Sequence, residues 1–259
     1  MNETKKITLL NVDANAKTIK GQKKGYMTAI LYLAPFKLSG YQVCPMAELA
    51  GCVADCLNTA GRGGMARADA DTVTVDGMTV KLNAIQKARI ARTRFFFEDR
   101  EAFMVQLCNE IAKAKKLATK KNLELVVRLN GTSDIRFEDV IVANGKTIFE
   151  VFPAIQFYDY TKIPNRNIAG IKNYHLTFSY SDRPEYRKIV EKAIAFYGKT
   201  VNLAVVFKGK TLPKTFMGRE VFSADESDLR FLDPTNGIAG LIAKGNAKKS
   251  TSGFCVEAA

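Results

Sequence analysis

Tryptophan is absent from this chain and histidine occurs once, at His175. With one histidine, second in an apolar run, no Ser-His-Asp or Cys-His arrangement can be assembled. Burial statistics make that residue a packed or hydrogen-bonded side chain rather than a base. No apolar run approaches the ~20 residues a membrane-spanning helix needs, so no membrane partner is expected. The opening MNETKKITLLNVDANAK has neither an apolar h-region nor an Arg- and Ser-rich transit character, and a cytoplasmic location is expected. Repeats, low-complexity blocks and long linkers are missing too. The expectation is one α/β domain over 1–259, with 1–25 a flexible or edge segment. The glycine-rich GRGG at 61–64 lacks the Lys-Ser/Thr ending of a phosphate-binding loop, so nucleotide hydrolysis is not supported.

What the chain has in excess is positive charge, a formal +13. Lysines gather at Lys113, Lys115, Lys116, Lys120 and Lys121, and again at Lys244, Lys248 and Lys249. Such a field attracts nucleic acid or another phosphate-bearing ligand by counterion release, or it is a solvated helix face. No zinc-finger, RNA-recognition or basic-zipper signature accompanies it, so sequence-specific readout is not indicated.

The apolar run at 26–33 reads as a buried strand stopped by Pro35. Residues 46–58 fit a short helix ended by GRGG, and 72–82 alternates as a hairpin with Asp76-Gly77 at its turn. Helical spacing covers 83–97 and 99–121, with Asp99 as a cap. Strands follow at 123–129, 156–160, 174–180, 201–207, 220–224 and 237–243. A short helix precedes the second of these, and a clear helix covers 183–199. Alternating strands and helices imply a largely parallel sheet. The expected fold is an incomplete (β/α) barrel with an N-terminal helical cysteine-bearing segment; a doubly wound sheet is the alternative.

In such folds ligands meet the carboxyl ends of the strands. Those ends carry Asn130, Gly131, Thr132, Ser133 and Asp134 as candidate cofactor-binding residues. Arg62, Asp159, Tyr160, Asp225, Asp228 and Arg230 are the candidate substrate-binding residues. Three of the five cysteines, Cys44, Cys52 and Cys56, fall in the C-x7-C-x3-C stretch and are the candidate metal ligands. On a helix Cys52 and Cys56 would share a face. Three thiolates could hold three irons of a 4Fe-4S cluster, or join Cys108, Cys255 or His175 around zinc. The odd cysteine count argues against a disulfide framework. Asp225, Asp228 and Asp233 could instead ligate magnesium for phosphoryl transfer.

The ordered set LAPFKLSGYQVCPMAELAGCVADCLNTAGRGGM, RIARTRFFFEDREAF, VVRLNGTSDIRFE, FYDYTK and SADESDLRFLDPTNGIAGLIAKG resembles the gene product 88-like family of phage and plasmid proteins, from about Leu33 to Cys255. The resemblance implies a mobile-element origin, hence a host-cell cytoplasm, and supplies no mechanism. A second, architectural likeness is to radical S-adenosylmethionine enzymes: first strand, three-cysteine loop, then a strand whose end meets the methionine moiety. The family's usual C-x3-C-x2-C spacing is wider here, and Asn130-Gly131-Thr132 replaces its Gly-Gly-Glu-type segment. The leading expectation is therefore an iron–sulfur enzyme with S-adenosylmethionine as candidate cofactor. The alternative is a basic nucleic-acid-binding, replication-associated protein with a structural metal.

Overall fold

The computed structural model describes residues 7–13, 16–53, 55–59, 61–67, 69–75 and 78–257. Among them, in chain order, are β1 (Leu10–Val12), α1 (Ala16–Gln22), β2 (Tyr26–Leu31) and α2 (Phe36–Ser39). The hairpin β3 (Thr72–Val75) and β4 (Met78–Lys81) precedes α3 (Ala84–Glu98) and α4 (Arg100–Lys120). Then come β5 (Glu124–Arg128), β6 (Ile141–Ala143), β7 (Lys146–Thr147), α5 (Ile148–Val151), β8 (Gln156–Thr161) and β9 (Tyr174–Ser179). The chain closes with α6 (Arg187–Tyr197), β10 (Leu203–Lys208), β11 (Thr215–Phe216), β12 (Arg219–Ser223), β13 (Ile238–Ile242) and β14 (Val256–Glu257).

This is a mixed α/β protein with a largely parallel central sheet of ten strands. Strands β2, β5, β8, β9, β10, β13 and β12 lie side by side in that order, all parallel. Antiparallel β1 and β11 flank the two ends, and β14 adds to β10. Because β1 and β11 do not pair with each other, the described sheet has two edges and does not close into a barrel. The last two parallel strands also break sequential order, since β13 inserts between β10 and β12.

Period-two alternation sorts the strands onto two faces. Met27, Ala29, Leu31, Val127, Leu129 and Phe157 pack with Phe103, Leu107 and Ile111 of α4 in the main core. Further along the same face, Phe178, Leu203, Val205 and Phe207 meet Val190 and Ala193 of α6. The opposite face carries Val126 and Tyr158 against Leu229, and Ala204 and Ala239 against Ala224.

Local chemistry sets the helix ends. Asn83 accepts from the Gln86 amide while Gln86 reaches back, a capping box, and Asp99 caps α4 through the Ala102 amide. The turn dipeptide Asp76-Gly77 lies outside the described residues. Of the stretch 1–25, β1 is an edge strand, tied down where Glu110 accepts from the amides of Leu9 and Leu10 at 2.9 and 2.8 Å. Helix α1 follows it.

One expectation is overturned. The cysteine-bearing segment is not a helix over 46–58: it runs through turns, with short 3₁₀ turns at Leu57–Thr59 and Gly61–Gly64. Among the described residues of this segment one i→i+4 bond forms, Ala50 N to Met46 O at 2.9 Å, and then Gly51 takes φ +69°. A Cβ at Gly51 would lie 2.7 Å from the Ser252 carbonyl oxygen, so the C-terminal segment passes where a helix would need its next side chains.

Candidate functional site

Four chain segments meet at the carboxyl ends of the parallel strands. The loop after β2 brings Cys44, Cys52 and Cys56; β5 leads into Asp134, β8 into Lys162, and β9 ends at Ser179. Lys162 donates from Nζ to Ser179 Oγ at 2.7 Å and lies over the rings of Phe254 and Tyr186, 4.5 and 5.9 Å from their centres. Burial pushes the Lys162 ammonium below its ordinary pKa, while Cys52, Asp134, Cys44 and Cys255 pull it back up. It is the cation of a thiol-rich corner.

Two of the loop thiols feel another: Cys44 feels Cys56 and Cys52, and Cys56 feels Cys52. Burial raises Cys44 far above a free thiol, with Asp134, Cys56 and Cys52 adding to the rise and Lys162 opposing it. Burial likewise raises Cys52, against Lys162, and Cys56, against a hydrogen bond from the Asn58 amide to its sulfur at 3.5 Å. The Cys44 and Cys52 thiols face the carbonyls of Thr132 and Ala47 at 3.8 and 3.6 Å. Cys255, distant in sequence, is drawn to the same lysine, and burial first and Asp55 second push its thiol to about 11. Cys108 stands apart on α4, packed on the main core.

Three soft sulfurs on one loop are a donor set of the kind a thiophilic metal takes. As they stand, no group of three or more His, Cys, Asp or Glu among the described residues is arranged to hold a metal ion.

The segment 130–134 is brought to the same rim, but its side chains are engaged within the protein. Asn130 donates to Ile135 O at 3.0 Å and accepts from Ser133 Oγ and the Ile135 amide, both at 2.8 Å. Thr132 donates to Leu33 O at 2.6 Å, and Asp134 accepts from the Lys162 amide at 2.7 Å and pairs with Arg166 at 3.3 Å. Gly131 is required sterically: a Cβ there would sit 2.6 Å from Ile30 Cγ2 and 2.7 Å from Tyr32 Cδ1.

The candidate substrate residues separate. Tyr160, Asp228 and Arg230 come together on the face opposite the large helices, joined by Arg128, which no motif singled out. The Arg128 guanidinium lies 5.7 and 5.1 Å from the ring centres of Tyr158 and Tyr160 and pairs with Asp228 at 2.7 Å. Although burial opposes it, Asp228 holds the Arg128 charge above its ordinary pKa. Arg230 is 1% exposed, pairs with Asp233 at 3.2 Å, and has no hydrogen-bond partner for Nη1. Asp159 points to the helix-covered side, where it accepts from the Asn130 amide at 2.9 Å and from Tyr174 OH at 3.0 Å. Asp225 pairs with Lys244 at 2.6 Å, and Arg62 is exposed in its 3₁₀ turn. Asp225, Asp228 and Asp233 therefore each answer a different cation rather than share an ion. His175 lies within 3.4 Å of Thr177 Oγ1, half-buried, and burial and then Arg230 lower its pKa.

Sequence reasoning missed Lys162, Arg128 and Arg166. A signal existed for the first: Lys162 directly follows the strand QFYDYT, at the end where ligands meet such sheets.

No helix among the described residues is long and apolar enough to cross a membrane. No curated protein matches the chain, and no solved structure matches it. The family model described as gene product 88 matches residues 8–258, and the chain belongs to that family.

Proposed function

We propose that this member of the gene product 88 family is an enzyme whose thiol-ligated metal centre, an iron–sulfur cluster in the first instance and zinc in the second, sits at the carboxyl ends of the strands of an incomplete (β/α) barrel. One observation carries the reading: a single loop brings three thiols to Lys162 at the end of β8, where Cys56 and Cys52 raise the Cys44 thiol and Cys52 raises that of Cys56. Half-buried thiols gathered on one loop gain from a cation that they can share as thiolates.

Cys44, Cys52 and Cys56 would be the ligands, and the centre would supply redox or Lewis-acid chemistry. The chain's own residues set its surroundings. Lys162, held by Ser179, keeps a positive charge next to the sulfurs. Asp134, pinned by Arg166, fixes the turn on which Lys162 starts. The half-buried Tyr160 beside Arg128, Asp228 and Arg230 is the candidate substrate seat, on the sheet face opposite the large helices. S-adenosylmethionine as cofactor is supported by the position of the thiol loop after the first parallel strand, and opposed by the internal engagement of Asn130, Thr132 and Asp134.

Anaerobic purification followed by iron, sulfide and elemental analysis with visible absorbance tests the reading. Iron with matching sulfide and a charge-transfer band supports the cluster, zinc alone supports the second form, and a colourless metal-free protein with full activity removes both.

A second reading, nucleic-acid binding, has its own observation: Lys113, Lys115, Lys116, Lys120 and Lys121 are all exposed along the second half of α4 and its end. Affinity for DNA or RNA that falls steeply with added salt supports it, and undetectable binding at low salt ends it.

A further inference from the structure

The molecule has a cleft that neither the thiol site nor the Arg128–Asp228 cluster uses. It is an open cleft of about 820 Å³ between the Pro45–Met46 turn, the Ile163–Asn165 turn and α6. Its apolar walls are Met46, Ile163, Ile189 and Phe196, and its cations are Arg136 and Lys192; no acidic side chain lines it. Phe196 is 52% exposed, an aromatic ring left largely to solvent on the wall of a concave surface.

We propose that this cleft binds a small organic carboxylate with an acyl or aromatic body. Its volume falls in the range of ~300–1,000 Å³ typical of small-molecule sites. Among the described residues neither Arg136 nor Lys192 is in an ion pair. Arg136 gives one N–H to the neutral Asn165 Oδ1 at 3.0 Å, which orients its guanidinium and leaves the rest of the fork to a ligand. A planar carboxylate matches that fork, and the lysine adds a second, adaptable donor. The apolar walls then take the body of the ligand, Phe196 against its chain or ring. A cationic ligand meets two like charges here, and a purely apolar one leaves both cations unanswered. Two walls begin one residue after Cys44 and one residue after Lys162, so the occupied cleft borders the thiol corner, yet its ligand chemistry is independent of any metal there.

The test uses the full chain as purified, with anilinonaphthalene sulfonate as the fluorescent probe and four competitors of equal chain length: decanoate, decyl phosphate, decanol and decylamine. The expected result is saturable probe binding displaced best by decanoate, with decanol and decylamine at least about tenfold weaker. Arg136→Glu and Lys192→Glu each weaken decanoate about tenfold, while Lys210→Glu, which removes an exposed basic residue elsewhere, changes nothing. Circular dichroism and melting confirm that the variants fold. Displacement indifferent to head-group charge overturns the proposal, as does loss caused equally by Lys210→Glu. Decyl phosphate outcompeting decanoate overturns the choice of carboxylate. A sedimenting dimer that excludes the probe and dissociates on Phe196→Ala shows that the cleft is a self-association surface instead.

Discussion

Arg128 and Asp228 stand a hundred positions apart in sequence, yet they meet at 2.7 Å with both side chains almost sealed from solvent. That contact ties β5, the second of the seven parallel strands, to the segment after β12, on the face that carries Tyr160 and Arg230. Removing one partner strands a buried charge, so Arg128→Met is expected to cost ~3–5 kcal/mol in urea unfolding. The double variant Arg128→Met/Asp228→Leu recovers most of that loss, because an apolar pair replaces the ion pair. If the two single costs simply add, the pair is not coupled and this description of the face is wrong.

The turn at 130–134 is set by Gly131. Its missing Cβ would press on Ile30, Tyr32 and the Leu31 carbonyl, all nearer than 3.0 Å. Gly131→Ala is therefore expected to destabilise the protein by ~1–3 kcal/mol through overpacking and to lower its melting temperature. An unchanged melting temperature contradicts the close approach of β2 to this turn.

Asp159 gives a pH signature. Burial raises its pKa to about 6, partly offset by Arg128 and the Asn130 amide. In the unfolded chain it titrates near the ordinary carboxylate value of about 4. A raised carboxyl contributes stability that is fully present below the unfolded value and lost as pH rises through about 6, on the order of 3 kcal/mol here. Asp233, also raised to about 6 by burial, acts in the same direction. Asp159→Asn is thus expected to flatten, without abolishing, the decline in stability between pH 4 and 7. Parallel curves for variant and wild type contradict the assignment.

Much of the frame is legible in the sequence. The apolar runs at 26–33, 123–129, 174–180 and 201–207 became parallel strands because both of their faces are covered. Asp99 caps α4 as its spacing implied. The cysteine segment was misread for a physical reason. Its composition suits a helix, but Gly51 turns the chain where Ser252 passes two hundred residues later, and no local pattern carries that contact. The same holds for the site. The thiol trio and the strand-end position of Asp134 were legible, whereas the partnership of Lys162 with Ser179, and of Arg128 with Asp228, depends on strand neighbours fixed by the whole sheet. Asp159 and Tyr160 are adjacent in sequence, and the pleat sends one beneath the helices and the other to the opposite face.

The central claim is that Cys44, Cys52 and Cys56 act as one ligand set, and metal stoichiometry after anaerobic reconstitution with iron and sulfide tests it most directly. The account predicts that Cys44→Ser, Cys52→Ser and Cys56→Ser each lose the bound iron and its visible absorption, while Cys108→Ser keeps both at the wild-type level. Iron retained in all three rim variants, or lost equally in Cys108→Ser, contradicts it.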